Sequence, residues 1–341
     1  MTQLKIDAAE IANRLDRRLF GSSVLITGAT GLLGSQLVRA LCEADRLFDA
    51  GITVYASIRN PEKAQKVFEG YDGIRFITGD VTEPLKAEGP IDYIIHAASE
   101  TASGAFVKTP VETVHTTYMG TRNLLELARE KQVKGMVFLS SLEVFGTVSG
   151  TVREADLGYV DLMSSRSSYP ESKRLAETMC RCYFDEYGVP VTVARLGQTF
   201  GAGVHLGERR IFGDFATHAA EGTDIVLHTT GETVGNYVYI TDALSAILML
   251  LAGGKRGEVY TVSNPGCVLT ARELAEFVAG TIAEGKIRVT FDIPDTDRFG
   301  YAPPTGRRLN ADKLLGEGFA FSVSLEEGFR RMIRSMREEI R

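Results

Sequence analysis

Three glycines, spaced three residues apart directly after a short apolar run, constrain this chain more than any other feature of its sequence. The run Val24 to Thr27 predicts a strand, and Gly28, Gly31 and Gly34 lead from it into a helical pattern over residues 32 to 45. The first glycine permits a tight turn, the second lets the backbone approach a pyrophosphate, and the third lets the helix pack closely on the strand. The spacing therefore predicts a dinucleotide-binding turn, with a purely structural turn as the alternative.

Short β-rich runs alternate with helical stretches from residue 24 to residue 195. The β-rich runs are 24–27, 53–58, 74–78, 93–96, 136–140 and 191–195, and the helical stretches lie near 32–45, 61–69, 110–131 and 168–187. Strands that are apolar along nearly their whole length are typical of a parallel sheet covered by helices on both faces. The sequence therefore predicts an α/β fold of the Rossmann type, with a doubly wound parallel sheet.

The two ends of the chain follow other patterns. Ile11, Leu15 and Leu19 are spaced four apart, which predicts an N-terminal helix within residues 4 to 20. Beyond residue 196 glycine-rich loops, a helix near 208–221 and an irregular stretch with Pro294, Pro303 and Pro304 predict a smaller lobe, while residues 237–251 read as a strand and helix that return to the main sheet. The expected domains are residues 1–195 with about 236–252 for the dinucleotide, and the interwoven segments 196–235 and 253–341 for the substrate.

Composition excludes several kinds of partner. The 38 Lys and Arg residues are outnumbered by 44 Asp and Glu, which gives a net charge of -6 and no basic surface for nucleic acid. The longest apolar run, 246–252, is too short to span a membrane, and the N-terminus has no signal-peptide pattern, so we expect a cytoplasmic protein. Neither the four cysteines, Cys42, Cys180, Cys182 and Cys267, nor the scattered histidines have metal-ligand spacing, so no metal site is predicted.

The end of the second strand bears on the choice of cofactor. An acidic residue there would bind the ribose hydroxyls of NAD, whereas this sequence has Arg59 and no acid. Arg59 suits the 2′-phosphate of NADP, which favours NADP modestly over NAD, although stacking on adenine is an alternative. Asp80, after the third strand, is placed to reach the adenine amino group or to cap a local turn.

Tyr169 and Lys173 lie four residues apart at the start of a predicted helix, and therefore on one face of it. A lysine ammonium beside the phenol, together with a nicotinamide cation, is expected to lower a tyrosine pKa that starts near 10. Such a phenolate takes a hydroxyl proton while hydride leaves the same carbon. Ser141, at the end of the preceding strand, is placed to hydrogen-bond the same hydroxyl, with strand-end capping as the alternative.

With these motifs in order, the chain resembles an extended short-chain dehydrogenase/reductase of the NAD-dependent nucleotide-sugar epimerase/dehydratase family. The resemblance rests on the glycine turn, on the stretches 96–99 and 140–146, and on the Tyr169/Lys173 pair, and it covers about residues 22 to 330. It implies three sets of residues. The implied catalytic residues are Ser141, Tyr169, Lys173 and Glu143; the implied cofactor residues are Gly28, Thr30, Gly31, Leu32, Leu33, Gly34, Arg59, Asp80, Val81, Ala97, Ala98, Ser99, Tyr169 and Lys173; and the implied substrate residues are Ser99, Glu143, Gln198 and Arg210.

Several stretches look most like UDP-glucuronate decarboxylase, among them 166–169, 173–180 and 210–215. Glu143 falls where decarboxylases and 4,6-dehydratases have a functional glutamate, but Leu142 replaces the aspartate that a dehydratase uses, which disfavours a standard dehydratase. Gln198 replaces the usual substrate-binding asparagine.

The diphosphate-binding arginine of the relatives is also missing. Gly235 stands at the position where relatives commonly have it, so Arg209, Arg210, Arg307 or Arg308 must compensate, or else serve as surface charges.

The resemblance predicts an enzyme that oxidises C4 of a nucleoside-diphosphate sugar and then decarboxylates, epimerises or dehydrates the 4-keto intermediate. The alternatives are an NADPH-consuming ketoreductase of nucleotide sugars and a non-catalytic dinucleotide-binding protein. Apolar residues on the helices near 110–131 and 168–187, Leu124, Leu127 and Ala128 on one and Leu175, Met179 and Tyr183 on the other, read as core packing, but relatives pair these helices across a two-fold axis, so a homodimer is expected.

Overall fold

The computed structural model describes residues 1–100, 105–293 and 305–339. The strands are β1 Ser23–Thr27, β2 Thr53–Ile58, β3 Arg75–Thr78, β4 Tyr93–His96, β5 Gly135–Ser141, β6 Gly150–Val152, β7 Val191–Leu196, β8 Gln198–Phe200, β9 Ile225–Leu227, β10 Val234–Tyr239, β11 Val259–Val262, β12 Val268–Thr270, β13 Val289–Phe291 and β14 Arg307–Leu309. The helices are α1 Gln3–Asn13, α2 Leu32–Phe48, α3 Pro61–Val67, α4 Ala105–Lys108, α5 Pro110–Lys131, α6 Ser168–Tyr187, α7 Ile211–Glu221, α8 Ile240–Gly253, α9 Ala271–Phe277, α10 Asp312–Gly316 and α11 Leu325–Glu339.

A seven-stranded parallel sheet forms the centre of the molecule, in the order β11-β7-β5-β4-β1-β2-β3. All residues of β1 and β4 are buried, as expected for strands covered on both faces. The chain order reverses at β1, which pairs with β2 on one side and with β4 on the other. A reversal of this kind opens a crevice at the carboxyl ends of the strands. The predicted doubly wound α/β fold is confirmed, and the crevice is where its ligands are expected.

The N-terminal helix packs against the main domain as the apolar spacing indicates, but it ends earlier. α1 stops at Asn13, and a short 3₁₀ turn over Arg17–Leu19 follows. Ile11, Leu15 and Leu19 are all buried in the main core.

Sheet pairing differs from the predicted domain boundaries at two points. β10 does not return to the main sheet but pairs with β8 and β12 in a separate three-stranded sheet, while α8 packs on the main sheet. β11, which lies within the segment 253–341 assigned to the substrate lobe, is instead the edge strand of the main sheet beside β7. An apolar run predicts a strand but does not reveal its partner, since pairing is decided by distant segments. Pro294, Pro303 and Pro304 lie outside the described residues.

In the part of the chain that the structure describes, no helix combines the length and the apolar composition that crossing a membrane requires.

Candidate active site

A cleft of about 990 Å³ runs across the carboxyl ends of the central strands. Every residue that the sequence analysis assigned to the cofactor, to catalysis or to the substrate lines this cleft. They are Gly28, Thr30, Gly31, Leu32, Leu33, Gly34, Arg59, Asp80, Val81, Ala97, Ala98, Ser99, Ser141, Glu143, Tyr169, Lys173, Gln198 and Arg210. The structure therefore brings residues from distant parts of the sequence to one place.

The glycine turn has no room for larger residues. Gly28 has a φ of +64°, and a Cβ there would lie 2.8 Å from the carbonyl oxygen of Ala97; a Cβ on Gly34 would overlap the carbonyl oxygen of Gly28. Gly31 is the N-cap of α2 and makes no side-chain cap hydrogen bond. The first N–H groups of a helix have no partner within the helix, so this turn offers donors to an anionic group. The turn thus fits a dinucleotide pyrophosphate.

Two cationic side chains line the cleft at the end of β2 and the start of α3. The Arg59 side chain, directly after β2, is 77% exposed and lies 3.8 Å from the Asp80 carboxylate. Lys63, in the first turns of α3, lines the same end, and the sequence analysis missed it. Asp80 accepts hydrogen bonds from the backbone N–H and the hydroxyl of Thr82, both at 2.9 Å, and the backbone bond is the largest effect that lowers the pKa of Asp80. Asp80 therefore holds a local turn and also faces the cleft.

Ser141, Tyr169 and Lys173 meet at the centre of the cleft. Ser141 is the last residue of β5, and its hydroxyl lies within interacting reach of the Tyr169 phenol, in the first turn of α6. One helical turn further on, the buried Lys173 Nζ lies 5.8 Å from the centre of the Tyr169 ring and donates to the carbonyl oxygen of Leu139 at 2.8 Å. The Leu139 bond fixes the lysine against the underlying strand.

The pKa of the phenol differs from the sequence expectation. Tyr169 is only 7% exposed, and burial raises its pKa to about 12, partly opposed by the Ser141 hydroxyl. Burial also lowers the pKa of Lys173 to about 8. The helical spacing places the two groups together as predicted, but burial is the largest effect on the pKa of the phenol, and it disfavours the phenolate.

Glu143 is bonded to one end of a stack of planar side chains at the substrate end of the cleft. The Glu143 carboxylate is 2.8 Å from Arg166 Nη2, and the Arg166 guanidinium lies over the ring of Phe106, 4.8 Å from its centre. Phe106 in turn stacks on the ring of Tyr169, with centres 4.2 Å apart and planes 9° apart. The sequence indicates Arg166 only as part of the decarboxylase-like stretch 166–169. It does not indicate Phe106, since nothing in the local pattern around residue 106 distinguishes it from a core residue.

Of the four arginines considered for the diphosphate, two line the cleft. Arg307 lines it and donates to the carbonyl oxygen of Gly146 at 2.8 Å; burial lowers the pKa of Arg307, opposed by the charge of Glu143. Arg210 also lines the cleft, with an ion pair to Glu208 at 2.8 Å. Arg209 and Arg308 are exposed and lie outside the cleft.

On β10, an aromatic ring covers Gly235, the position at which the family resemblance leads us to expect an arginine. The buried Tyr237 ring lies across Gly235, and any Cβ on Gly235 would overlap it. Gln198 accepts a hydrogen bond from the backbone N–H of Asn236 at 3.0 Å, and Asn236 in turn donates to the carbonyl oxygen of Arg307 at 3.0 Å. Gln198 is therefore linked through Asn236 to the backbone of Arg307.

The strand order and the glycine turn at its reversal define a Rossmann-type dehydrogenase, in the extended short-chain form that adds a second lobe. The lobe contributes Arg210 and Arg307 to the cleft. Residues 24–263 match the NAD dependent epimerase/dehydratase family, and the chain belongs to that family. The predicted resemblance is confirmed, as is the prediction of an enzyme of the nucleotide-sugar decarboxylase, epimerase and dehydratase type.

Named relatives support the same assignment. UDP-glucuronic acid decarboxylase 1 of Xenopus tropicalis is 29% identical over 326 residues, which cover 93% of this chain and 72% of that protein. UDP-glucuronic acid decarboxylase 6 of Arabidopsis thaliana is 30% identical over 278 residues, covering 81% and 79%. A double mutant of DesIV, a dTDP-glucose 4,6-dehydratase from Streptomyces venezuelae solved with NAD and DAU bound, is 27% identical with a TM-score of 0.74, covering 92% of this chain and 97% of that chain. The UDP-glucose 4-epimerase of Thermotoga maritima, 22% identical with a TM-score of 0.77 and coverage of 94% and 100%, shares the fold.

Proposed function

We propose that the protein oxidises C4 of a nucleoside-diphosphate uronic acid and decarboxylates the resulting 4-keto sugar. The observation that supports this most is the position of Glu143, which pairs with Arg166 and lines the same cleft as Arg307, beside the Ser141/Tyr169/Lys173 group. Arg307 lines the same end of the cleft, where its guanidinium suits a substrate with both a diphosphate and a sugar carboxylate.

Each of the central residues has a defined task in this proposal. NAD(P), when bound in the cleft, supplies the hydride acceptor. Ser141 orients the sugar 4-hydroxyl and Tyr169 takes up its proton. Lys173 holds a positive charge one helical turn from the phenol, and this charge favours the phenolate. Glu143 assists the second step, in which the 4-ketone makes the uronic acid a β-keto acid that readily loses CO₂. C5 then takes up a proton and C4 takes back the hydride, so the cofactor is regenerated.

Leu142 argues against a dehydratase. Its side chain packs against Val144 and Phe145 in a small apolar cluster at the edge of the cleft, so this position supplies no acid to protonate a leaving 6-hydroxyl. The presence of Glu143 without an acidic neighbour is more compatible with decarboxylation.

The products from a panel of nucleotide sugars test the proposal. The protein would be incubated with UDP-, dTDP-, CDP- and GDP-sugars, with and without added NAD(P)H, and products read by mass spectrometry. We expect loss of one CO₂ from UDP-glucuronic acid without net consumption of cofactor. Loss of water from a neutral hexose would indicate a dehydratase, an unchanged mass with altered stereochemistry an epimerase, and turnover of none of the sugars would reject the proposal.

Arg307 is proposed to bind the substrate diphosphate. Replacing Arg307 with alanine should weaken the binding of UDP about 10- to 100-fold, as expected for loss of a charge-assisted hydrogen bond to an anion. Isothermal titration calorimetry with UDP measures the effect. Arg308→Ala removes the neighbouring arginine, which is exposed and outside the cleft, and should change affinity less than about twofold. Equal effects of both substitutions would contradict the assignment.

The cations at the adenosine end support NADP as the preferred cofactor. Arg59 and Lys63 both line this end, where a 2′-phosphate would bind. Arg59→Ala should weaken NADPH binding about tenfold or more and NADH binding much less. The fluorescence of the reduced cofactors reports both affinities. Lys66→Ala, which removes an exposed lysine of the same helix outside the cleft, is the matched control. Tighter binding of NADH than of NADPH by the parent protein would contradict the preference.

The same cations favour one second candidate, a ketoreductase that consumes NADPH. Stoichiometry separates the two functions, since a redox-neutral decarboxylase works with catalytic cofactor whereas a reductase oxidises one NADPH for each product. The non-catalytic alternative requires that the protein turns over none of the sugars in the panel.

A homodimer is proposed through α5 and α6, which pack against each other. Val111, Val114 and Tyr118 form an exposed apolar face of α5, and Leu175 is exposed on α6. The residues Leu124, Leu127 and Ala128 instead belong to the core, and Met179 and Tyr183 pack against it. Sedimentation at micromolar concentration should show a dimer that Val114→Glu dissociates; a monomeric parent protein would exclude it.

A further inference from the structure

Arg166 connects two groups that the proposed function treats separately. It lies in the short 3₁₀ turn Ser165–Ser167, directly before α6. One of its nitrogens, Nη2, is 2.8 Å from each carboxylate oxygen of Glu143. Its guanidinium also covers the ring of Phe106, whose other contact is the ring of Tyr169. Arg166, Phe106 and Tyr169 thus form a stack, and its outermost member is bonded to Glu143.

The stack limits how the Tyr169 ring can move. Phe106 is 2% exposed, and the hydroxyl of Ser168, the residue before Tyr169, donates to the backbone carbonyl of Phe106 at 3.1 Å. The Phe106 ring is therefore anchored at its backbone to the first residue of α6 and covered on its outer side by the guanidinium. Because the rings are almost parallel and in contact, rotation of the phenol out of this plane would displace Phe106, whose ring the Arg166 guanidinium covers.

The same guanidinium fixes the Glu143 carboxylate. The Glu143 backbone N–H donates to the Ser141 hydroxyl oxygen at 3.2 Å, so the residue starts beside the hydroxyl that lies within reach of the phenol. Its side chain is 27% exposed and that of Arg166 37% exposed, so the pair lies at the cleft wall and not in the core. A carboxylate in this place would be repelled by an anionic sugar group unless a cation held it.

We propose that Arg166 is a positioning residue that fixes Glu143 and, through Phe106, the Tyr169 phenol in one mutual arrangement. This proposal rests on the proposed function, because it assumes that both held groups act on the substrate. It assigns Arg166 no direct contact with the substrate, so its loss affects the chemical step more than binding.

Kinetics with UDP-glucuronic acid separate positioning from binding. Arg166→Met should lower kcat about 10- to 100-fold and change KM less than about threefold. In a Glu143→Gln, Phe106→Leu background the same replacement should lower kcat less than about twofold, since both groups through which Arg166 acts are already altered. Arg166→Lys, which keeps the charge but not the planar group, should restore only part of kcat. A rise in KM with unchanged kcat, or full additivity in that background, would overturn the proposal.

Arg181→Met is the matched control, because Arg181 also combines an ion pair with a ring contact. It pairs with Asp185 at 2.7 Å and lies over Phe184, 5.4 Å from the ring centre. All three residues are on α6, and Arg181 lies outside the cleft. This variant should retain the parent kcat. Thermal unfolding of both arginine variants shows whether Arg166→Met loses activity merely because the fold is weakened; equal unfolding temperatures with unequal kcat are expected.

A structural readout keeps the test independent of turnover. Crystal structures of the parent and of Arg166→Met should show the Glu143 carboxylate displaced and the Phe106 ring shifted from Tyr169; unchanged positions of both would overturn the proposal whatever the substrate. The proposed function fails separately, when Tyr169→Phe and Glu143→Gln leave turnover unchanged or the parent does not act on UDP-glucuronic acid. Loss of turnover in those two variants but not in Arg166→Met rejects the positioning role alone.

Discussion

Replacing Tyr169 with phenylalanine is expected to reduce kcat about a thousandfold, near the middle of the range for loss of a general base. The substitution removes one oxygen atom and keeps the ring, so the stack with Phe106 and the burial of the side chain are preserved. The remaining groups, Ser141 and Lys173, do not replace the phenol, since the lysine is held against the carbonyl oxygen of Leu139. Kinetics on the sugar selected by the product panel measure the effect.

A second tyrosine on the same helix provides the control for Tyr169→Phe. Tyr183 donates a hydrogen bond to Glu126 at 2.6 Å and lies outside the cleft, so Tyr183→Phe removes an equally satisfied hydroxyl without touching the site. It should retain parent turnover and bind NADPH and NADH with parent affinity. Parent-level turnover in Tyr169→Phe would reject the phenol as the base.

The parts of the fold that were predictable are those in which the information is local. The glycine turn, the strand before it and the helix after it lie within a few residues of one another, and steric rules at Gly28 and Gly34 leave few alternatives. The placement of β10 and β11 was not predictable in this way. Both are short apolar runs that fit the edge of the main sheet or a second sheet equally well, and contacts with segments far away in the chain decide between them.

The same distinction applies to the candidate site, where only the residues specified by local spacing could be predicted. The Tyr169/Lys173 pair follows from one helical turn, and Ser141 follows from the end of a strand. Phe106 comes from α4, Arg166 from the 3₁₀ turn before α6 and Arg307 from the start of β14. Only the folded chain shows that they line one cleft with Glu143. The raised pKa of Tyr169 also depends on the fold, because helical spacing specifies a neighbour but not the degree of burial.

The buried His96 should make the protein lose stability on mild acidification. It is 1% exposed, and burial, followed by the charge of Lys173, lowers its pKa to about 3. Its ring nitrogens lie 2.8 Å from the hydroxyl of Thr27 and 3.4 Å from that of Thr121, so the neutral ring has its partners. The unfolded chain takes up a proton below about pH 6.5 and the folded chain does not, so this contribution to stability is complete above that value and is lost as the pH falls towards 3. Between about pH 7.5 and about pH 5 the loss amounts to about 2 kcal/mol.

A second buried group opposes this loss, and the comparison of variants depends on it. Burial raises the pKa of Asp7 to about 6, partly offset by hydrogen bonds from Tyr239 and Gln3. An acid with a raised folded pKa stabilises the fold below its unfolded value and loses that contribution as the pH rises through 6, so acidification over the same interval adds about 1 kcal/mol. His96 and Asp7 together should therefore contribute a net loss of only about 1 kcal/mol to the parent protein, the difference of their two contributions.

Single substitutions separate the contributions of His96 and Asp7, because they change the slope of the free energy of unfolding against pH in opposite directions. His96→Gln removes the first one, so the free energy of unfolding should rise as the pH falls, whereas Asp7→Asn removes the second and should steepen the parent's loss to about 2 kcal/mol. Urea unfolding at several pH values measures both slopes, and the comparison is unaffected by any constant loss of packing in either variant. His115→Gln, at an exposed histidine, should keep the parent slope. If His96→Gln has the same slope as the parent, the buried ring does not remain neutral in the folded protein.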